Sequence, residues 1–229
     1  MATDRLSESP WLLLPGTLCT AAVFDDFLDV LGVGTAQRHA LSLNSPCIRD
    51  YGAAFADIPA DTVVCGFSLG AIVAAHHANQ MTAGKLMLFG LNPYPDDPSK
   101  AAGRHDLAAD VIANGGAAAL KARALAVHGP DTAKTREAIY QMANETTPLI
   151  DAQTRLALTR PGALPALAKA RMPVLSLTGS HDQNASTAQG LAAAEAAPHG
   201  HFICMEGLGH YALLEDPAAC AKAALQMTE

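Results

Sequence analysis

The chain has 229 residues, 50% of them hydrophobic and 16% charged, a composition that fills a substantial core and lies far from that of disordered chains. Its 15 Lys and Arg against 22 Asp and Glu leave a net charge of −7, so the basic face of a nucleic-acid binder is missing and no nucleic-acid partner is expected. No apolar run approaches the ~18–20 residues that cross a bilayer, and Met1–Pro10 is polar where a secretory signal would be basic and then apolar, so the reading is a cytoplasmic protein without a membrane partner.

Along the chain, short apolar runs bounded by Gly or Pro have the form of strands buried on both faces. Trp11–Leu14 comes first, running into the turn Pro15-Gly16 and a helix-like stretch, Ala21–Leu31. His39–Leu43 is a weaker strand. Asp61–Cys65 and the helix Leu69–Met81 follow, then the strand Leu86–Phe89. From Pro93 to Pro165 the alternation stops. Only Ala-rich helical segments are found there, Asp106–Ala113, Ala117–Val127, Ala133–Asn144 and Leu149–Thr159, punctuated by Gly115-Gly116, Gly129-Pro130 and Pro161-Gly162. Alternation then resumes with the strand Val174–Thr178, the helix Ala185–Ala197, the strand His201–Met205 and the helix Pro217–Met227. Strand and helix in turn predict an α/β fold, a mostly parallel central sheet flanked by helices, with 93–165 as a helical insertion between core segments 1–92 and 166–229.

The sharpest local signal is Gly66-Phe67-Ser68-Leu69-Gly70, between a strand and a helix. A turn that lifts the serine Oγ above the sheet leaves no room for Cβ atoms at the flanking positions, hence the glycines. It also puts the Leu69 N–H and the helix N-terminus where an oxyanion can be stabilised. Cys65 is the nearby alternative nucleophile. A nucleophilic serine needs a base, and among nine histidines His210, in the Gly-flanked loop after the last strand, is the candidate. Asp182 lies just past the strand Val174–Thr178, where functional groups of an open α/β sheet gather. It can orient the imidazole or cap a helix near Asn184, and Asp96 and Asp97 are the alternative acids. Thr17, after the Pro15-Gly16 turn, is placed to give a second oxyanion amide. The five cysteines, Cys19, Cys47, Cys65, Cys204 and Cys220, show no C-x-x-C spacing and predict neither a disulfide framework nor a zinc site.

Taken together, Leu14-Pro15-Gly16-Thr17, the Gly66–Gly70 run, Met172–Gly179 leading to Asp182, and Gly209-His210 followed by Leu214-Glu215-Asp216-Pro217 resemble the α/β-hydrolase family, in particular its small bacterial members with a helical cap. Pro15 stands where the family often has His, and the short chain implies a reduced cap. The resemblance implies a Ser68–His210–Asp182 triad, with the Thr17 and Leu69 amides as oxyanion hole. It implies cleavage of a small ester or related acyl compound through an acyl-serine, with no metal or organic cofactor. The same fold also hosts C–C bond hydrolysis, lactone opening, thioester cleavage, acyl transfer, perhydrolysis and non-catalytic ligand binding. Of the cap's apolar positions Leu120, Leu125, Ile139, Met142, Leu156 and Leu158, some are expected to line a pocket of aliphatic character and most to pack within the cap. Oligomeric state is not legible.

Overall fold

A computed structural model describes residues Leu6–Thr228; Met1–Arg5, where the polar N-terminal stretch begins, lie outside the described residues. Strands β1 (Trp11–Leu14), β2 (Arg38–Ala40), β3 (Val63–Phe67), β4 (Lys85–Phe89), β5 (Val174–Gly179) and β6 (Gly200–Met205) form one sheet in the order β2-β1-β3-β4-β5-β6. The sequence pattern predicts a mostly parallel sheet; in the structure all five pairings are parallel. The helices are α1 (Asp25–Val30), α2 (Ala53–Ala56), α3 (Leu69–His76), α4 (Ala101–Asn114), α5 (Gly116–Lys121), α6 (Thr132–Glu145), α7 (Ile150–Thr159), α8 (Leu164–Leu167), α9 (Thr187–Ala196), α10 (Ala212–Glu215) and α11 (Pro217–Leu225).

Because side chains along a strand point to opposite faces in turn, unbroken apolar runs feed two cores. Leu13, Cys65, Met87 and Leu175 join one cluster with helices α1 and α11. Their neighbours Leu14, Val64, Leu86 and Val174 join the other, beneath α3. Helix α3 is buried from Leu69 through Ala75, as befits a helix apolar all round. The edge strands are short or half-exposed: β2 has three residues with His39 and Ala40 exposed, and β6 leaves His201 and Cys204 in solvent.

The predicted elements are present with shifted ends. The strand expected at Asp61–Cys65 lies two residues later, because the Thr62 N–H closes a turn on Pro59 O (3.0 Å) while Gly66 and Phe67 pair with Leu88 and Phe89. The helix expected to reach Met81 ends at His76. Beyond it, His77 is pinned by Ile48 O (2.8 Å) and stacks on Phe55. Helix α9 starts at Thr187 because Ser186 and Gln189 form a capping box. Helix α5 stops at Lys121, short of the predicted Val127, ahead of Ala124 with φ +47°.

Two features position a site. The strand order reverses between β1 and β3, and in open α/β sheets such a reversal opens a crevice at the carboxyl ends of the strands. Helices α4 to α7 all fall between β4 and β5, where the sequence places its insertion. Among the described residues, no helix is long and apolar enough to cross a membrane.

Candidate active site

Ser68 stands between β3 and α3 with φ +52° and ψ −115°, a conformation that costs an L-residue of order 1–3 kcal/mol and persists only where the surroundings impose it. The two flanking glycines show what imposes it. A Cβ on Gly66 would lie 2.6 Å from Ala71 Cα. One on Gly70 would run into Leu14 O and lie 2.6 Å from Pro15 O. The elbow is therefore clamped against both its own helix and the end of β1.

His210, in the loop after β6, brings Nε2 to 3.0 Å from Ser68 Oγ and Nδ1 to 2.8 Å from Asp182 Oδ2. A carboxylate can only accept, so Nδ1 carries the proton and donates it to Asp182, which leaves Nε2 as the acceptor for the Ser68 hydroxyl. Asp182 makes contacts toward both sides. Its Oδ1 accepts from the Asn184 N–H (2.8 Å) and the Ala185 N–H (2.9 Å), while Oδ2 faces the imidazole. The turn thus holds the carboxylate in one rotamer, fully buried, with the His210 side chain 10% exposed. Phe67 and Tyr211 pack the imidazole, with ring centroids at 5.1 and 5.5 Å.

The alternatives are occupied otherwise. Asp96 accepts from Arg104 and Arg160, and Asp97 accepts from Ser99 N. Cys65 is buried in the sheet, and that burial pushes its thiol well above the usual range, which disfavours the nucleophilic thiolate. Another histidine just past β5, His181, faces His128 at 3.3 Å between Nδ1 atoms.

Gly16 at the end of β1 lies against the elbow, where a Cβ would be 3.1 Å from Ser68 Cβ. Among the described residues, the N–H groups of Thr17 and Leu69 donate to no protein acceptor. Both residues line, with Ser68 and His210, a cavity of about 390 Å³. A serine hydroxyl whose proton can pass to an imidazole steadied by a carboxylate, beside two unengaged amides, is the constellation that acyl transfer requires.

The profile of the alpha/beta hydrolase family matches residues 6–223. The chain belongs to that family. Several solved hydrolase structures share its fold. One is a thermophilic esterase from Thermogutta terrifontis at 18% identity, TM-score 0.76, covering 96% of this chain and 89% of that one. Another is the enol-lactonase from Burkholderia xenovorans LB400 at 16%, TM-score 0.75, covering 97% and 92%. A third is MenH from S. aureus at 15%, TM-score 0.76, covering 99% and 94%. Among curated proteins, none matches in sequence.

Within this alpha/beta hydrolase, three further features of the site carry no local sequence signal. Gln153, on α7 and 1% exposed, accepts from the Leu18 N–H at 3.0 Å. It thereby ties the insertion to the loop carrying Thr17, just where Leu18 adopts φ +57°. The two residues are 135 positions apart, so only the fold relates them. Gly90, at the end of β4 with φ +59°, leaves room for the histidine, since a Cβ there would lie 3.1 Å from His210 Nδ1 and 3.2 Å from Asp182 Oδ2. The cavity wall departs from the aliphatic lining the sequence predicts. Leu120 and Leu125 do reach it, whereas Ile139, Met142 and Leu156 are buried in packing. Alongside the leucines stand Lys100, Arg104, Arg123 and Arg160. Ion pairs with Asp96 and Asp110 hold three of these cations against the wall.

Proposed function

We propose that this chain is a serine hydrolase that cleaves a small ester or related acyl compound through an acyl-serine intermediate. The observation that carries the reading is the continuous relay from Asp182 through His210 to Ser68, at 2.8 and 3.0 Å, opening on the 390 Å³ cavity. In this reading His210 takes the Ser68 proton as Oγ attacks the substrate carbonyl. The Thr17 and Leu69 amides, aided by the N-terminus of α3, hold the tetrahedral oxyanion. The imidazolium, steadied by Asp182, returns the proton to the leaving alcohol. Water then enters by the same route to release the acid.

Residues 93–165 act as a cap, supplying cavity wall through Leu120, Leu125 and Arg160 and bracing the oxyanion loop through Gln153. A cavity near the lower end of the ~300–1,000 Å³ usual for small-molecule sites suits a substrate of modest size. The test is labelling with a fluorophosphonate followed by peptide mapping. The adduct is expected on the peptide carrying Ser68 and absent from Ser68→Ala. Labelling that survives that substitution, with the fold intact by circular dichroism, overturns the assignment.

A further inference from the structure

Four of the protein's 15 Lys and Arg line the cavity that holds Ser68, and no Asp or Glu shares the lining, although the chain as a whole carries −7. Lys100 and Arg104 come from the start of the insertion, Arg123 from the turn after α5, and Arg160 from the end of α7. Their convergence is a product of the tertiary fold.

The internal partners do not balance these charges. Asp96 serves two guanidiniums: its oxygens accept from Arg104 Nε (2.8 Å) and Nη2 (2.7 Å), and Oδ1 also accepts from Arg160 Nη1 (2.8 Å). Arg160 Nη1 also donates to Ala157 O at 2.7 Å, and its Nε lies 3.4 Å from Tyr94 O. Among the described residues, Arg104 Nη1 and Arg160 Nη2 have no protein acceptor. Arg123 pairs with Asp110 and two backbone carbonyls. Asp97 acts on Lys100, so counting it with Asp96 and Asp110 against the four cations leaves one cation in excess of these carboxylates.

The Arg160 side chain is 2% exposed and that of Asp96 4%. That one buried carboxylate is divided between the buried Arg160 and the partly exposed Arg104, whose side chain is 33% exposed, so neither guanidinium has an anion to itself. Burial lowers the Arg160 pKa from its usual value, and Asp96 opposes that loss. A guanidinium with a free edge in the cavity that Ser68 also lines is the kind of group that pairs with a planar oxyanion in a directed way.

Resting on the hydrolase reading above, we infer that the substrate bears a carboxylate remote from the scissile carbonyl, which the Lys100–Arg104–Arg123–Arg160 wall receives while Ser68 attacks. A cavity of about 390 Å³ favours a carboxylate carried on a small acyl compound over a phosphate on a bulky carrier.

The kinetic test compares matched pairs in which carboxylate replaces an isopropyl group of like shape. One pair carries it on the acyl side, p-nitrophenyl glutarate monoester against p-nitrophenyl 5-methylhexanoate. The other carries it on the alcohol side, the butyrate of 4-hydroxybenzoate against that of 4-isopropylphenol. In at least one pair kcat/KM is expected to favour the anion about 10- to 100-fold, the range of one or two charge-assisted hydrogen bonds. The preference shrinks with added salt and falls in Arg123→Gln and in Arg104→Lys, both more exposed than Arg160 and chosen because Arg160 variants risk misfolding. Equal or better turnover of the neutral ester in both pairs overturns the inference while leaving the hydrolase intact. Calorimetric titration of Ser68→Ala with glutarate separates the two proposals. Binding that Arg123→Gln weakens supports the carboxylate site even if no ester is cleaved. Absence of binding, or phosphate competing as well as glutarate, counts against it.

Discussion

Replacing Asp182 by Asn separates the two jobs of that side chain. The Oδ1 atom accepts from the Asn184 and Ala185 N–H groups at 2.8 and 2.9 Å, and a carboxamide oxygen accepts both equally well. Those bonds fix the orientation, so the new NH2 group takes the Oδ2 position and donates toward His210 Nδ1, 2.8 Å away. Nδ1 must then accept, the ring proton moves to Nε2, and Nε2, 3.0 Å from Ser68 Oγ, can no longer take the serine proton. The expected loss in kcat is about 10⁴-fold, the scale of a triad imidazole in the wrong tautomer, or about 5.4 kcal/mol of transition-state stabilisation. Stability changes little because both amides keep their acceptor. Asp182→Ala strips it from both, and at the buried Ala185 that costs about 1–3 kcal/mol. The assay pairs kcat on a p-nitrophenyl ester with urea unfolding of the parent and both variants. A folded Asp182→Asn enzyme within tenfold of the parent refutes the relay.

Other substitutions probe the frame around the site. Gly70→Ala drives a methyl group into Leu14 O and is expected to destabilise the fold by about 3 kcal/mol or more, read as a drop in Tm; a well-folded variant contradicts the clamped elbow. Burial raises the Asp96 pKa and the Arg104 and Arg160 guanidiniums more than reverse it, leaving the group below its usual range. Its stabilising effect is therefore complete above the unfolded carboxyl value of about 3.9 and fades as pH falls through the lower, folded one. Asp96→Asn, which leaves Arg160 buried without its anion, is expected to cost about 3–5 kcal/mol near neutrality, a gap that narrows in urea titrations below about pH 4; a gap independent of pH refutes the pairing. Gln153→Leu removes the acceptor of the Leu18 N–H and is expected to lower kcat about tenfold, less than outright loss of an oxyanion donor, with little change in KM; an unchanged kcat shows that the loop needs no brace.

Local chemistry determined a good deal from the sequence alone. Continuous apolar runs between Gly and Pro specify strands buried on both faces, and parallel strands need helical crossovers, so the α/β fold follows from period and punctuation. The Gly66–Gly70 run is legible because steric exclusion acts between near neighbours: Gly66 against Ala71, and the elbow against its own helix. Ser68, His210 and Asp182 each follow the end of a predicted strand, which suffices to put them on one side of the sheet. Tertiary structure decided what depends on distant residues. Asp182 rather than Asp96 faces His210 because Asp96 is held by Arg160, 64 positions away. Gln153 reaches Leu18 across 135 positions, and Gly90 matters only because the His210 loop folds back over it. The cavity wall is the largest departure. Helical periodicity in the insertion identifies apolar faces but not which polar residues turn inward. Arg104 and Arg160 meet on a shared Asp96, while Arg123, paired with Asp110, and Lys100 reach the same cavity from other segments of the insertion, an electrostatic arrangement set by the whole fold that no short window of sequence contains.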